Sequence, residues 1–331
     1  MEFVRFTDKK TKLSRICLGT MIFGDKCDES SSQFILHAAL DLGINFIDTA
    51  AMYAGGVSEE YLGRALRGVR QDVFIATKFH AGLDRATVLA SVDASLKRLN
   101  TDHVDLYLVH WPLPGMNITE LMAALDEVVQ SGKTRFVGCC NFPAWLLASC
   151  NGVAAEHGWS PLVSNQIAYN LIERGVEVEI LPQATVEDIF ITAYRPLAMG
   201  LLGGRFRQTT AMDQSARGTT DARVITWLSQ HGDSIERFLR FSEEKGLHPA
   251  ELAIAWLCHS PGVSCPIVGA SSADQLRVAA SGAGRTLSDE DYQEVTDLFS
   301  TEVKEEGLQL FPGLKYNFPR LRRKPFLARK E

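Results

Sequence analysis

The sequence predicts an α/β chain folded as a closed (β/α)8 TIM barrel, and three observations predict it. Eight short apolar runs recur along the chain. Most are continuous rather than alternating, as suits parallel strands covered by helices. Helical patterns lie between them, which is the repeat of βαβ units. The C-terminal ends of the runs fall near positions 19, 48, 78, 110, 140, 166, 194 and 269, a spacing of about 30 through the first seven. So even a period favours a closed barrel over an open doubly wound sheet.

In order, the runs are LSRICLG (13–19), NFIDTA (45–50), VFIATKF (73–79), VDLYLVH (104–110), TRFVGCC (134–140), LVSNQIAY (162–169), DIFITAY (188–194) and VSCPIVG (263–269). Ahead of them, FVRF and TKLSRI are expected to pair as an N-terminal β-hairpin closing the barrel floor. Ser30 before SSQFILHAALDLG (which stops at Gly43), Asp84 before RATVLASVDASLKRL, and Thr119 opening ELMAALDEVVQSG (which ends at Gly132) read as helix start signals. The last interval, 269 − 194 = 75 residues, must hold extra material before strand eight. It reads as a long polar loop over about 203–222, then helical patterns around 223–231, 234–245 and 249–259. No linker or low-complexity stretch divides the chain, so residues 1–331 are expected to form one domain with a tail from about 301.

Of 331 residues, 46% are hydrophobic and 22% charged, enough for one large core. A net charge of −6 gives no global basic field, so neither nucleic acid nor a membrane is expected as a partner. The basic cluster between Lys315 and Lys330, with Arg320, Arg322, Arg323 and Lys324, reads as a solvated terminus. The cysteines number seven, an odd count with no CxxC, and several sit in apolar runs. That fits buried free thiols in a reducing compartment. The first residues, MEFVRFTDKK, lack the apolar stretch of a secretory signal. No run approaches the ~18 apolar residues of a membrane span. A cytoplasmic protein is the expectation. Eight histidines without metal-ligand spacing predict no metal site.

In such a barrel, chemistry sits at the C-terminal strand ends. Those ends present Asp48, Lys78 and His110 on strands two, three and four, with Tyr53 in the loop just beyond strand two. Singly each has a bland reading: a turn residue, a solvated strand end, a packed histidine, a surface phenol. Four such accidents on consecutive strands are harder to accept than one site. One mechanism uses all four. A tyrosine, with a reference pKa near ~10, is a poor acid–base at neutral pH. A neighbouring ammonium lowers that value, and a carboxylate holds the ammonium charged and in place. An uncharged histidine orients a substrate carbonyl, and the tyrosine protonates its oxygen as hydride arrives at carbon. The hydride must come from a cofactor. There is no G-x-G-x-x-G after a strand, so no Rossmann site is indicated.

These residues lie in motifs that resemble the aldo-keto reductase superfamily: GINFIDTAAMYAGGVSEEYLGRAL, ATKF, DLYLVHWP, GCCNF, NQIAYN, YRPLAMGLLGGRF and PIVGASSADQL. The resemblance runs from about residue 13 to 300 and implies a (β/α)8 barrel that reduces aldehydes or ketones, sugar-derived carbonyls included. It implies Tyr53 as general acid, Lys78 and Asp48 as its tuning pair, and His110 as the carbonyl-orienting residue. It places Gly19, Thr20, Met21 and Asp48 beside the cofactor, and Asn141 and Gln166, with Cys140 next to them, at the nicotinamide carboxamide. Tyr194 would stack on the nicotinamide ring. Pro196, Leu197, Gly200 and Leu202 would follow the pyrophosphate, Arg195 would also bind the cofactor, and Gly269, Ser271 and Gln275 would sit by the adenosine. Cys140 stands where many members have serine. The implied cofactor is NADPH/NADP+, with NADH as the alternative. The GASSAD stretch carries no base, so Arg205, Arg217 and Arg277, in that order, are the candidates for a 2′-phosphate. Substrate specificity is expected from loops 22–30, 112–118 and 203–222 and the tail, with Phe23, Trp111, Phe206, Phe311 and Phe318 as apolar contacts. Another expectation is a sensor like the potassium-channel β subunits, holding NADP(H) with little turnover. His110 argues against it, because that branch differs at this position. A lyase using Lys78 as a Schiff-base amine is disfavoured by Asp48, which keeps the amine protonated.

Overall fold

A computed structural model describes residues 1–205 and 221–299 of the chain. Eight strands close into a barrel: β3 (Cys17–Gly19), β4 (Phe46–Asp48), β5 (Phe74–Phe79), β6 (Val104–Val109), β7 (Thr134–Cys140), β8 (Leu162–Ala168), β9 (Phe190–Tyr194) and β10 (Cys265–Gly269). Every neighbouring pair is parallel, and β10 returns to β3. The (β/α)8 barrel expected from the spacing is therefore the fold.

The strand residues divide by alternation into two apolar layers. Leu18, Ile47, Ile75, Tyr107, Val109, Val137, Ile191 and Val268 join helix residues such as Ile35, Leu62 and Val88 in an outer core. Cys17, Phe46, Phe74, Ala76, Leu106, Leu108, Cys140, Phe190 and Ile267 form the inner one. A strand with a period of two needs apolar residues on both faces to be covered on both, which is why these segments read as continuous runs.

The floor is closed by a hairpin of β1 (Phe3–Arg5) and β2 (Lys12–Ser14), antiparallel with Phe3 opposite Ser14. Its Phe6 ring lies 5.2 Å from Phe74, 4.9 Å from Phe136 and 4.9 Å from Phe190, tilted or edge-on. Those are favourable aromatic geometries and plug the lumen from below. LSRICLG is split between two elements: β2 ends at Ser14 and β3 begins at Cys17, with the Ser14 hydroxyl donating to Ile16 O at 2.7 Å across the corner.

Around the barrel stand α1 (Glu29–Asp41), α2 (Val57–Ala65), α3 (Arg85–Leu99), α4 (Ile118–Gln130), α5 (Ala144–His157), α6 (Ile180–Glu187), α7 (Ala222–Glu244), α8 (Pro249–His259), α9 (Ala273–Ala283) and α10 (Asp289–Leu298). Asp84 caps α3 as expected, accepting from Thr87 N. Two caps differ from expectation. Asp28, not Ser30, caps α1, and Asn117, not Thr119, caps α4. In both a carboxylate or amide stands two residues upstream on extended backbone and takes the orphan amide first. The two patterns read at 223–231 and 234–245 form one helix, α7, with Gly232 buried inside it. Among the described residues no helix is long and apolar enough to cross a membrane, and no group of three potential ligands gathers for a metal. All seven cysteines are free, and six are buried, Cys258 being the partly exposed one.

Candidate active site

Alternation along three strands sets the site. Inward Phe46 puts Asp48 inward, inward Phe74 and Ala76 put Lys78 inward, and inward Leu106 and Leu108 carry on to His110. All three therefore reach the lumen at the C-terminal end, over the apolar plug. Lys78 is 0% exposed and Asp48 2%. Burying a lone charge there would be costly, and the two are paired, Lys78 Nζ donating to Asp48 Oδ2 at 2.7 Å.

The lysine has three protons and three acceptors. The others are Thr49 O at 2.7 Å and the Tyr53 hydroxyl oxygen at 3.1 Å. Since Tyr53 accepts from the ammonium, its own O–H is left to donate elsewhere. Asp48 is held in turn: Gln166 Nε2 donates to Asp48 Oδ1 at 2.9 Å. Tyr53 arrives on a tight turn, Tyr53–Gly56, in which Ala54 (φ 48°), Gly55 (φ 64°) and Gly56 (φ 101°) are left-handed. Ala51 N donating to Lys78 O at 3.0 Å ties the start of this loop to the lysine strand.

Burial raises the Tyr53 phenol to about 12, with Asp48 adding to the rise and Lys78 pulling against it. The expected lowering by the ammonium is thus present but outweighed by desolvation. Burial opposes the charge on Lys78, yet Asp48 and Tyr53 hold its pKa above the ordinary value. That disfavours the free amine a Schiff base needs. Burial, then the Lys78 charge, depresses His110 to about 2, so its imidazole is neutral. Its ring stacks on Trp111 at 3.8 Å and 8°, and stands 6.1 Å from the Tyr53 ring. Its Nδ1 is buried with no hydrogen-bond partner among the described residues.

On the facing strands a second set converges. The Tyr194 hydroxyl donates to Asn141 Oδ1 at 2.8 Å, Asn141 N donates to Gln166 O at 2.9 Å, and Asn141 Nδ2 donates to His110 O at 3.4 Å. Asn141 is left-handed (φ 60°), as its residue type tolerates. Cys140 is buried within the electrostatic reach of Lys78 and Asp48, its thiol pushed up by burial. Gly19 is aligned with Asp48 and with Gly269, and Thr20 N and Oγ1 both donate to Asp48 O at 2.9 and 3.0 Å. Met21 is 44% exposed beyond them.

After Tyr194 the chain turns through left-handed Arg195, Ala198, Met199 and Gly200, a run that re-aims successive amides. Pro196 and Leu202 are buried there, and Leu197 is half-buried. The Arg195 guanidinium lies 4.9 Å from the Tyr194 ring centroid, with Glu173 at 3.4 Å, and its Nε is buried without a partner among the described residues. After β10, Ser271 N and Oγ donate to Gln275 Oε1 at 2.9 and 3.3 Å. Arg205 is exposed, whereas Arg277 is engaged by Asp274 on its own helix. Phe23, expected to touch substrate, is 1% exposed and packed in the outer core, because the turn over 20–27 folds it inward. Arg217, Phe206, Phe311, Phe318 and the basic tail lie outside the described residues.

Sequence reasoning missed Thr49, whose carbonyl takes the third lysine proton, and a group behind the site: buried Ser58, Glu59 and Thr77, with partly buried Arg98. Ser58 Oγ donates to Thr20 O at 2.9 Å and meets Thr49 Oγ1 at 3.1 Å. Glu59 pairs with Arg98, 39 residues on. Carbonyl roles leave no trace in residue type, and no spacing rule connects Glu59 with Arg98.

A barrel with this polar cluster over an apolar floor is an enzyme scaffold, and its half-buried phenol beside a neutral imidazole suits chemistry at a carbonyl. Sequence comparison places it: a profile of the aldo/keto reductase family matches residues 15–299. The uncharacterized oxidoreductase YrpG of Bacillus subtilis is 33% identical over 319 residues, covering 90% of this chain and 96% of the relative. Aldo-keto reductase YhdN of the same organism is 32% identical, covering 92% and 96%. Norsolorinic acid reductase B of Aspergillus parasiticus is 31% identical over 93% of this chain and 84% of its own. The chain belongs to the aldo/keto reductase family, and it is an oxidoreductase.

Proposed function

We propose that the protein is an NADP(H)-dependent reductase of aldehydes or ketones, acting in the cytoplasm on a small carbonyl compound. The observation that carries the reading is the three-way engagement of Lys78 by Asp48, Thr49 and Tyr53. When bound, a reduced nicotinamide supplies the hydride. The chain's own residues do the rest. Tyr53 keeps its proton at neutral pH and hands it to the carbonyl oxygen. Lys78, fixed by Asp48, stands at the phenolate that remains and stabilises it. His110, neutral, donates to the same oxygen from the other side and fixes its direction. Trp111 backs His110 and offers an apolar face to the substrate.

The residues present fit such a cofactor. Gln166 uses its amide nitrogen on Asp48, which leaves its oxygen for a carboxamide. Tyr194 is half-buried and held by Asn141 through its hydroxyl, and Arg195 Nε is a buried donor without an acceptor among the described residues. At Gly269 an added Cβ would meet nothing nearer than Gly19 O at 3.9 Å, so there is room for a ligand against the backbone. Gly19, Thr20, Met21, Asp48, Cys140 and Asn141 would border the nicotinamide half. Pro196, Leu197, Gly200 and Leu202 would follow the pyrophosphate, and Ser271 and Gln275 the adenosine, with Arg205 at the 2′-phosphate. The buried free thiols support a reducing location.

The test is a turnover screen of aldehydes, ketones and sugars with NADPH and NADH side by side, including norsolorinic acid and versiconal hemiacetal acetate, named for two of the relatives. Cofactor consumption with at least one carbonyl, faster with NADPH, is expected. Tight nucleotide binding with no turnover across the panel contradicts the proposal.

A further inference from the structure

We infer that Glu59 is a positioning residue for the Tyr53 phenol, working through Arg98 and Thr77; the inference rests on the carbonyl-reductase reading above. Tyr53 stands on a turn that is conformationally unfavourable in itself. Three consecutive residues, Ala54, Gly55 and Gly56, have positive φ, and Ala54 lacks the freedom of glycine. Such a turn persists only where its surroundings over-determine it. Its start is fixed by Ala51 N and Lys78 O at 3.0 Å. Its end runs into α2, whose first turn is anchored from below.

Glu59 is that anchor. Its side chain is 0% exposed, yet it carries a carboxylate with a partner on each oxygen. Oε1 accepts from the Thr77 hydroxyl at 2.5 Å, one residue before Lys78 on β5. Oε2 accepts from Arg98 Nε at 2.6 Å, near the end of α3. The arginine's stem in turn lies directly under the turn: a Cβ built on Gly56 would come 2.7 Å from Arg98 Cδ. One carboxylate thus links the strand that carries the lysine, the helix that follows the tyrosine, and the cationic stem that floors the tyrosine's turn. The neighbouring Ser58 adds a tie to Thr20 and Thr49 on the cofactor side. At α2–α3 the backbones themselves meet, since a Cβ on Gly63 would stand 2.5 Å from Leu99 O, so small shifts of α3 pass straight to α2. The Lys78–Tyr53 contact, at 3.1 Å the longest of the lysine's three, is the one this frame sets.

The experiment compares Glu59→Gln, Thr77→Val and, as a control, Arg64→Ala, which removes an exposed ion pair of the same helix with Glu29. Hydrogen exchange of the 51–57 segment reads the turn without needing activity. Glu59→Gln and, more weakly, Thr77→Val are expected to lose protection there while β5 and β6 keep theirs, and Arg64→Ala to lose none. In turnover, Glu59→Gln is expected to lower kcat by roughly tenfold to a hundredfold per bound cofactor, with KM and cofactor affinity within about twofold. Because Lys78 pulls the phenol's pKa down, loosening the contact should also shift the pH dependence of alcohol oxidation upward. A purely structural role would lower Tm and the yield of cofactor-binding protein but move neither kcat per site nor the pH profile. If Glu59→Gln does not fold, Thr77→Val decides. Wild-type exchange at 51–57 together with wild-type kcat in Thr77→Val overturns the inference. Absence of turnover in the wild-type protein instead overturns the reductase reading, and the exchange measurement still judges Glu59.

Discussion

Lys78 Nζ stands 3.1 Å from the Tyr53 hydroxyl oxygen and 2.7 Å from Asp48, inside a barrel where the lysine is 0% exposed. The ammonium therefore presents its positive charge to the phenol while being neutralised from behind. Replacing Lys78 by Met leaves Asp48 buried and unpaired. Stability should fall by about 3–5 kcal/mol, and carbonyl reduction by roughly 10²–10⁴-fold. Urea unfolding and steady-state kinetics check the two halves separately.

The pH dependence follows from the raised phenol. With Tyr53 at about 12, the proton needed for reduction is present across the neutral range. The reduction rate should stay level between about pH 6 and 9, while alcohol oxidation, which needs the deprotonated form, should climb with pH throughout. Rates in the two directions with saturating cofactor are the measurement. A reduction rate that halves near pH 7 contradicts the assignment.

His110 supplies a stability signature. Its folded value is depressed to about 2, and an unfolded histidine titrates near ~6.5. Below ~6.5 the unfolded chain binds the extra proton, so stability is lost as pH falls from there, by up to about 1.4 kcal/mol per pH unit. His110→Gln should flatten the curve between about pH 4.5 and 6.5 by one proton relative to wild type, read by urea unfolding at each pH.

Arg205 is exposed after the glycine turn, and Arg277 is already engaged by Asp274. Arg205→Ala should weaken NADPH binding about tenfold, the worth of a charge-assisted contact, and leave NADH unchanged. Fluorescence titration with both nucleotides tests it; equal losses for the two would remove Arg205 from the 2′-phosphate.

Much of this was legible in the sequence, because the barrel writes itself in periods. The apolar runs end on Asp48, Lys78 and His110, where a barrel carries its chemistry, and even spacing of strand ends declares a closed barrel. What escaped were relations without a period. Asp28 and Asn117 outcompete the expected caps by two residues of register. The patterns at 223–231 and 234–245 are one helix, in which Gly232 is a packed position. Phe23 looked like a pocket wall and is core, since hydrophobicity alone does not say which side of a turn a ring takes. The balance of forces on Tyr53 was also hidden: the ammonium was foreseen, but only the fold reveals that burial exceeds it.

The central claim is that Tyr53 is the proton donor, and Tyr53→Phe tests it most directly because the ring and its packing stay while one hydroxyl goes. Cofactor affinity by fluorescence titration and carbonyl reduction are measured on the same preparation. Unchanged cofactor binding with reduction lost by at least about a hundredfold is the predicted result. Reduction retained within a few-fold of wild type would contradict the account.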